Sequence, residues 1–281
     1  MSHNHNHSHN KPSNIGIAFL LNFSFSIIEI IGGILTNSTA ILSDAVHDLG
    51  DSLALALSFF TERLSKKDAT EKYPYGFKRL SLIGAIINIL VLSIGTGYVI
   101  SEAVISFQNP QEVDSIGMLW LAILGIAING LAVLKMKDSK KILDKTVVMH
   151  LLEDLMGWVA VLVVSIVIYF TNWYILDPIL SMFIALVIIR NIWINSKLVF
   201  SILMQSVPDE SLYQELKEHM ESIEGVKLVD NFKLWSLDGE EHVASITLLT
   251  QENADAQKIR LNAKNIFTNH SIKQTTVEVI G

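Results

Sequence analysis

The stretch SDAVHDLGD, residues 43–51, lies inside an apolar run from Ala40 to Phe60 that otherwise suits hydrocarbon. Ionisable side chains at membrane depth are costly and commonly mark ion or proton paths, so three aspartates and a histidine here need a reason. On a helix Asp44, His47 and Asp51 fall at i, i+3 and i+7 and share one face, while Asp48 is turned about 100° from His47.

The rest of the composition supports a membrane setting. Of 281 residues, 50% are hydrophobic and only 17% charged, and the mean hydropathy is +0.41, outside the habit of soluble domains. There is no cysteine, which excludes disulfides and thiolate metal sites and leaves His and carboxylates as metal ligands. The first residues, MSHNHNHSHNKPSN, lack the charged, apolar and small-residue segments of a cleavable signal peptide, so insertion is expected to rest on internal helices.

Apolar runs long enough to cross about 30 Å of hydrocarbon occur near 15–34, 40–60, 82–105, 116–136, 146–170 and 179–200, predicting six transmembrane helices. The linkers 35–39, 106–115 and 171–178 contain no Lys or Arg. The linker between the second and third runs carries Arg63, Lys66, Lys67, Lys72, Lys78 and Arg79, and the one between the fourth and fifth carries Lys135, Lys137, Lys140, Lys141 and Lys145. This asymmetry places both termini in the cytoplasm of a multi-pass protein.

From Pro208 the pattern changes. Leu212, Leu216, Met220 and Ile223 keep a helical period, VKLVDNFKLW and HVASITLLT are strand-like, and a helix over about 254–269 precedes the strand TTVEVI. The α-β-β-α-β order predicts a small two-layer α+β domain. Its thirteen acidic and seven basic residues argue against a nucleic-acid partner. The expected organisation is a His-rich tail over 1–14, a six-helix domain over 15–205 and a cytoplasmic α+β domain over 206–281.

The fifth run supplies a second polar face. HLLED gives His150, Glu153 and Asp154, with His150 and Asp154 at i and i+4, so both runs carry the form H-x-x-x-D. At about 1.5 Å per residue, His47 and Asp51 lie about 14 and 20 Å from the outer surface, and Asp154 and His150 about 18 and 24 Å. The pairs can meet, and two imidazoles with two carboxylates suit tetrahedral Zn(II) with bonds of about 2.0 to 2.2 Å. The bland alternative is a polar seam of helix caps and backbone hydrogen bonds, which two matched pairs at similar depth disfavour. Asp48 and Glu153, off this face, are expected to line an access path or meet a neighbouring helix, and Asp44 to support a ligand or take part in metal access.

ILSDAVHDLGDSLAL, YPYGFKRLSLIGAIIN, HLLEDLMGW and LDPILSMFIALVIIR, in this order across six spans, resemble the cation diffusion facilitator family, most closely its zinc-type branch. The resemblance covers nearly the whole chain. It implies His47, Asp51, His150 and Asp154 as the transport site for zinc, the transported substrate, exported in exchange for protons. It also implies a ferredoxin-like cytoplasmic domain, a homodimer, and residence in the bilayer of a prokaryotic inner or cell membrane. Glu29 and Asn129 match polar positions of the family and could equally be structural hydrogen-bonding groups.

Departures from the family pattern carry their own expectations. Arg79 is followed by Leu80 and Ser81, where the family has an acidic residue two places on, and Gln205 stands where an acid is common, putting a salt bridge from Arg79 in doubt. Tyr73 and Phe77 occupy positions of an additional loop metal site, so that site is expected to be absent. In the C-terminal domain, Asp230 to Trp235 replaces an H-x-x-H-x-W stretch, with Lys233 at one histidine position; with only His242, His270 and nearby acids remaining, weak or no zinc and mainly a pairing role are expected there. The alternating His3, His5, His7 and His9 read either as a metal-collecting tail or as an appended affinity tag. Three other functions stay open: a transporter of a broader set of divalent cations, a membrane zinc hydrolase with Glu153 as base, and a metal sensor that does not transport.

Overall fold

The computed structural model describes residues 12–65, 69–136 and 142–281. The histidines of the N-terminal tail, Lys66, Lys67, Lys137, Lys140, Lys141 and the side chain of His150 lie outside the described residues. Six long helices come first: α1 (Pro12–Thr36), α2 (Thr39–Ser65), α3 (Leu80–Gln108), α4 (Ser115–Met136), α5 (Ile142–Thr171) and α6 (Leu176–Leu203). Then follow α7 (Glu210–Glu221), β1 (Val226–Ser236), β2 (His242–Thr250), α8 (Ala256–Asn269) and β3 (Gln274–Ile280), the expected order. The chain divides into two compact units, Met1–Phe60 with Ala85–Ile194, and Thr61–Gly84 with Asn195–Gly281.

Within the described residues, Leu80–Gln108, Ser115–Leu134, Leu151–Thr171 and Leu176–Leu203 are long and apolar enough to span a bilayer, and Asn22–Thr36 of α1 is a shorter apolar stretch. The second helix owes its lower apolarity to Asp44, His47, Asp48 and Asp51 together with Glu62 and Arg63 near its end. The helical unit is apolar on the outside, with Leu35, Ile94 and Phe170 about three-quarters exposed, while Ser26, Glu29, Asp48 and Ser52 are buried. This is the polarity expected where lipid, not water, meets the outer face.

Small residues let the helices approach. A Cβ on Gly32 would lie 2.6 Å from Leu121 of α4, and one on Gly95 of α3 would lie 2.8 Å from Val46 of α2. One apolar cluster joins Phe25, Ile41, Met118, Ala122, Trp158 and Ile168 from α1, α2, α4 and α5.

The start of α2 is held from a distance. Asp177, at the beginning of α6, accepts from Thr39 N at 2.7 Å, Thr39 Oγ1 at 2.8 Å, Ala40 N at 3.3 Å and the Ser38 hydroxyl. A carboxylate here satisfies N–H groups that have no partner within the helix and sits at the positive end of the helix dipole. The hydroxyls of Ser43 and Ser181 meet at 2.7 Å along the same α2–α6 seam.

The C-terminal sheet has the order β1-β2-β3, with β1 and β2 antiparallel and β2 and β3 parallel. Its core includes Leu216, Met220, Ile246, Leu248, Ile259 and Phe267 from α7, β2 and α8. Asp209 and Asp255 cap α7 and α8 by accepting two backbone N–H groups each. In the same unit, Lys78 rather than Arg79 finds an acid: its Nζ donates to Glu241 Oε1 at 2.7 Å, and this bond holds the ammonium pKa above its usual value.

Asp177→Ala orphans several buried donors, and an unsatisfied buried donor costs about 1–3 kcal/mol. We expect a loss of at least about 3 kcal/mol, seen as reduced thermal stability in detergent, with Asp177→Asn intermediate. Equal melting of parent and Asp177→Ala would show that this cap does not hold α2.

Candidate metal centre

Of the four residues singled out in the two H-x-x-x-D pairs, the structure brings His47 and Asp51 together on α2, with Nε2 and Oδ2 3.8 Å apart and both side chains partly buried. Asp154 is buried on α5, 8% exposed. His150 lies one turn before it on the same helix, and its side chain is outside the described residues. The described donor atoms of His47, Asp51 and Asp154 do not form a group within 4.8 Å of one another.

A carboxylate cluster surrounds this pair. Asp44 and Asp48 of α2 are buried, and both are in electrostatic range of Asp154. Asp44 is directed at α5, its Oδ1 lying 3.5 Å from where a Cβ on Gly157 would stand. Glu29 of α1 is fully buried and lies in electrostatic range of Asp48 and Asp44. Asp48 thus meets a neighbouring helix, as its angle on α2 suggested. Glu153 is exposed and takes no part in this cluster.

Neighbouring helices fix the α2 face. Asn22 of α1 donates to the Asp48 carbonyl at 3.2 Å and to Ser52 Oγ at 3.0 Å, tying α1 to the turn that carries the site. Gly50, between His47 and Asp51, leaves room for Leu92 of α3, which a Cβ would meet at 2.3 Å. The opposite wall rests on Trp158, one turn after Asp154 and 1% exposed. Its indole lies over Gly125 of α4, where a Cβ would come within 2.2 Å, and its ring packs 5.9 Å from Phe25. Asn129 donates to Gly125 O at 3.3 Å within its own helix, so this described bond is not a link between helices. Asn22 and Gly125 carry no chemistry of their own and became visible only as contacts.

Chemically, the arrangement is a cluster of carboxylates and one described imidazole in an otherwise apolar bundle. A dication or protons can offset such charges where water cannot.

Comparison with known proteins agrees. Residues 15–204 match the family model of the cation efflux transmembrane domain. A "Cadmium, cobalt and zinc/H(+)-K(+) antiporter" of Bacillus subtilis (strain 168) is 34% identical over 241 residues, covering 84% of this chain and 77% of the relative. A "Metal cation efflux system protein CzcD" of Cupriavidus metallidurans is 31% identical over 248 residues, covering 88% and 78%. A "Zinc transporter ZitB" of Pectobacterium atrosepticum is 28% identical over 286 residues, covering 99% and 89%.

Gly125→Ala drives a methyl into the Trp158 ring, whereas Gly130→Ala on the same helix meets only Leu155 Cδ1 at 3.9 Å. Overpacking costs about 1–3 kcal/mol, so Gly125→Ala should melt earlier than the parent while Gly130→Ala does not. Matching melting curves for the two variants would remove Trp158 as the support of the α5 wall.

With the buried acid cluster, the helical architecture and the family match in agreement, the chain belongs to the cation efflux family and is a multi-pass membrane protein.

Proposed function

We propose that this protein exports Zn(II) from the cytoplasm in exchange for protons, through a site formed by His47, Asp51, His150 and Asp154. The protein is a metal cation efflux transporter and not an enzyme. The observation that carries the site assignment is the burial of Asp154 on α5 in electrostatic range of the acidic face of α2, on which His47 and Asp51 already stand 3.8 Å apart. Similar proteins named as a zinc transporter and as an antiporter of cadmium, cobalt and zinc with protons and potassium support both the cargo and the exchange.

In this reading all six long helices cross the bilayer with both termini cytoplasmic, supported by the basic linkers between α2 and α3 and between α4 and α5. The C-terminal domain is ferredoxin-like, supported by its α-β-β-α-β order and mixed sheet. It pairs two copies of the chain, a role consistent with exposed Leu228, Leu261 and Ile280. The setting is a prokaryotic inner or cell membrane, as for the bacterial relatives.

Metal binding requires neutral imidazoles and ionised carboxylates. With the site open to the cytoplasm, zinc takes these four ligands. Rocking of the helices then exposes the site to the other side, where protons compete for the same atoms and release the metal. Proton return resets the site, so metal and protons are coupled by sharing the same ligand atoms. A hydrolase would keep an open coordination position and a base beside it; Glu153, the one acid considered for that role, is exposed and apart from the cluster.

Asp51→Ala and Asp154→Ala should each abolish zinc flux in proteoliposomes while leaving folded protein. Near-parental flux in either, at equal incorporation, would remove that residue from the site. Selectivity offers a second check. An imidazole gives a short, directional bond to zinc, while a carboxylate binds through one or two oxygens and stretches to larger ions. His47→Asp should therefore keep zinc transport and raise the cadmium-to-zinc ratio. An unchanged ratio in an active variant would mean that His47 does not set selectivity.

A further inference from the structure

Glu215 and His219 stand at i and i+4 on α7 and share one helix face. The residue that ends α8 is His270, its C-cap. One ligand atom from each of these three side chains lies within 4.8 Å of the others. His270 Nε2 is 3.3 Å from Glu215 Oε1, and the rings of His219 and His270 are 5.7 Å apart at a tilt of 48°.

These spacings can be set against coordination geometry. Zinc bonds of about 2.0 to 2.1 Å in a tetrahedron put neighbouring ligand atoms about 3.3 Å apart. The Glu215–His270 edge already has that length. Closing the other edges needs a movement of about 1 Å or more, within reach of a rotamer change in the exposed His219 side chain.

The imidazole of His270 is also oriented for ligation. Its Nδ1 lies 2.8 Å from the Ile266 carbonyl oxygen. A carbonyl only accepts, so Nδ1 carries a proton and Nε2 is the atom that meets the cluster: it donates to Glu215 when protonated and offers its lone pair once a metal displaces that proton. A backbone carbonyl behind a ligating imidazole is the usual device that fixes its tautomer and ring angle. His219 and His270 further line an open depression of about 540 Å³ with Ser222, Asn262 and Asn265, so their side of the cluster is reachable by water.

We propose that Glu215, His219 and His270 form a second metal site, a three-ligand His2Glu centre on the C-terminal domain for a borderline transition dication such as zinc or cobalt(II). Two imidazoles disfavour calcium and magnesium, which prefer all-oxygen shells. Occupancy ties the last turns of α7 to the end of α8 and stabilises the domain by mass action. The proposal departs from the expectation of weak or no zinc in this domain, which weighed residues 230–235, His242, His270 and nearby acids and left out His219. Its residues belong to the other compact unit, and it does not rest on the assignment of the membrane ligands.

The test uses the chain in detergent without residues 1–10, which carry four other histidines. Cobalt(II) and zinc equivalents per chain are counted by equilibrium dialysis with elemental analysis. His219→Ala should lose one equivalent per chain, both in the parent and in an Asp51→Ala, Asp154→Ala background. Glu215→Gln should weaken the same equivalent by about tenfold or more, with an unchanged circular dichroism spectrum. Failure of the membrane-site assignment appears separately, as a metal count unaltered by Asp51→Ala with Asp154→Ala. Unchanged stoichiometry and affinity in both His219→Ala and Glu215→Gln overturns the proposal and leaves an ordinary His–Glu ion pair.

Discussion

A carboxylate taken out of water must be neutralised by a partner, and the helical unit is organised around that constraint. Glu29, Asp44, Asp48 and Asp154 are all buried, with partly buried Asp51 beside them. No described Lys or Arg is buried with them. Such a cluster is compatible with an apolar bundle only if cations can come to it, as protons or as metal. The surrounding structure holds α1, α2 and α5 close enough for these acids to face one another. Asn22 pins α1 to α2, Gly50 and Gly95 bring α3 against α2, and Trp158 seats α5 on α4 at Gly125.

Asp177 shows the same chemistry used for architecture. It too is a buried carboxylate, but four donors at the start of α2 satisfy it, so its charge is committed to a helix end. Glu29, Asp44 and Asp48 of the central cluster instead lie in electrostatic range of further carboxylates. That crowding of like charge separates them from the structural carboxylate of Asp177.

Much of this was legible in sequence because it is local. Hydropathy runs located all six long helices to within a few residues, and helical periodicity set Asp44, His47 and Asp51 on one face. The order of elements after Pro208 followed from alternation and period. What escaped is long-range. Nothing near Asp177 in sequence announces that it caps a helix starting 138 residues earlier, and Gly125 looks like any small residue until Trp158 lies over it. His219 was missed for a related reason: E-x-x-x-H on an exposed helix is common, and its meaning depends on where the end of α8 arrives. Glu29 was visible as a polar position, but its proximity to Asp48 is a property of two helices.

The central claim is that one set of buried ligands carries metal in one direction and protons in the other. The most direct measurement records zinc and pH together in proteoliposomes, with a zinc dye and a pH dye in the lumen and an imposed pH gradient. The account predicts zinc uptake that requires an acidic lumen and proceeds with matched lumenal alkalinisation. Zinc uptake at the same rate without a gradient, and with no accompanying proton movement, would contradict it.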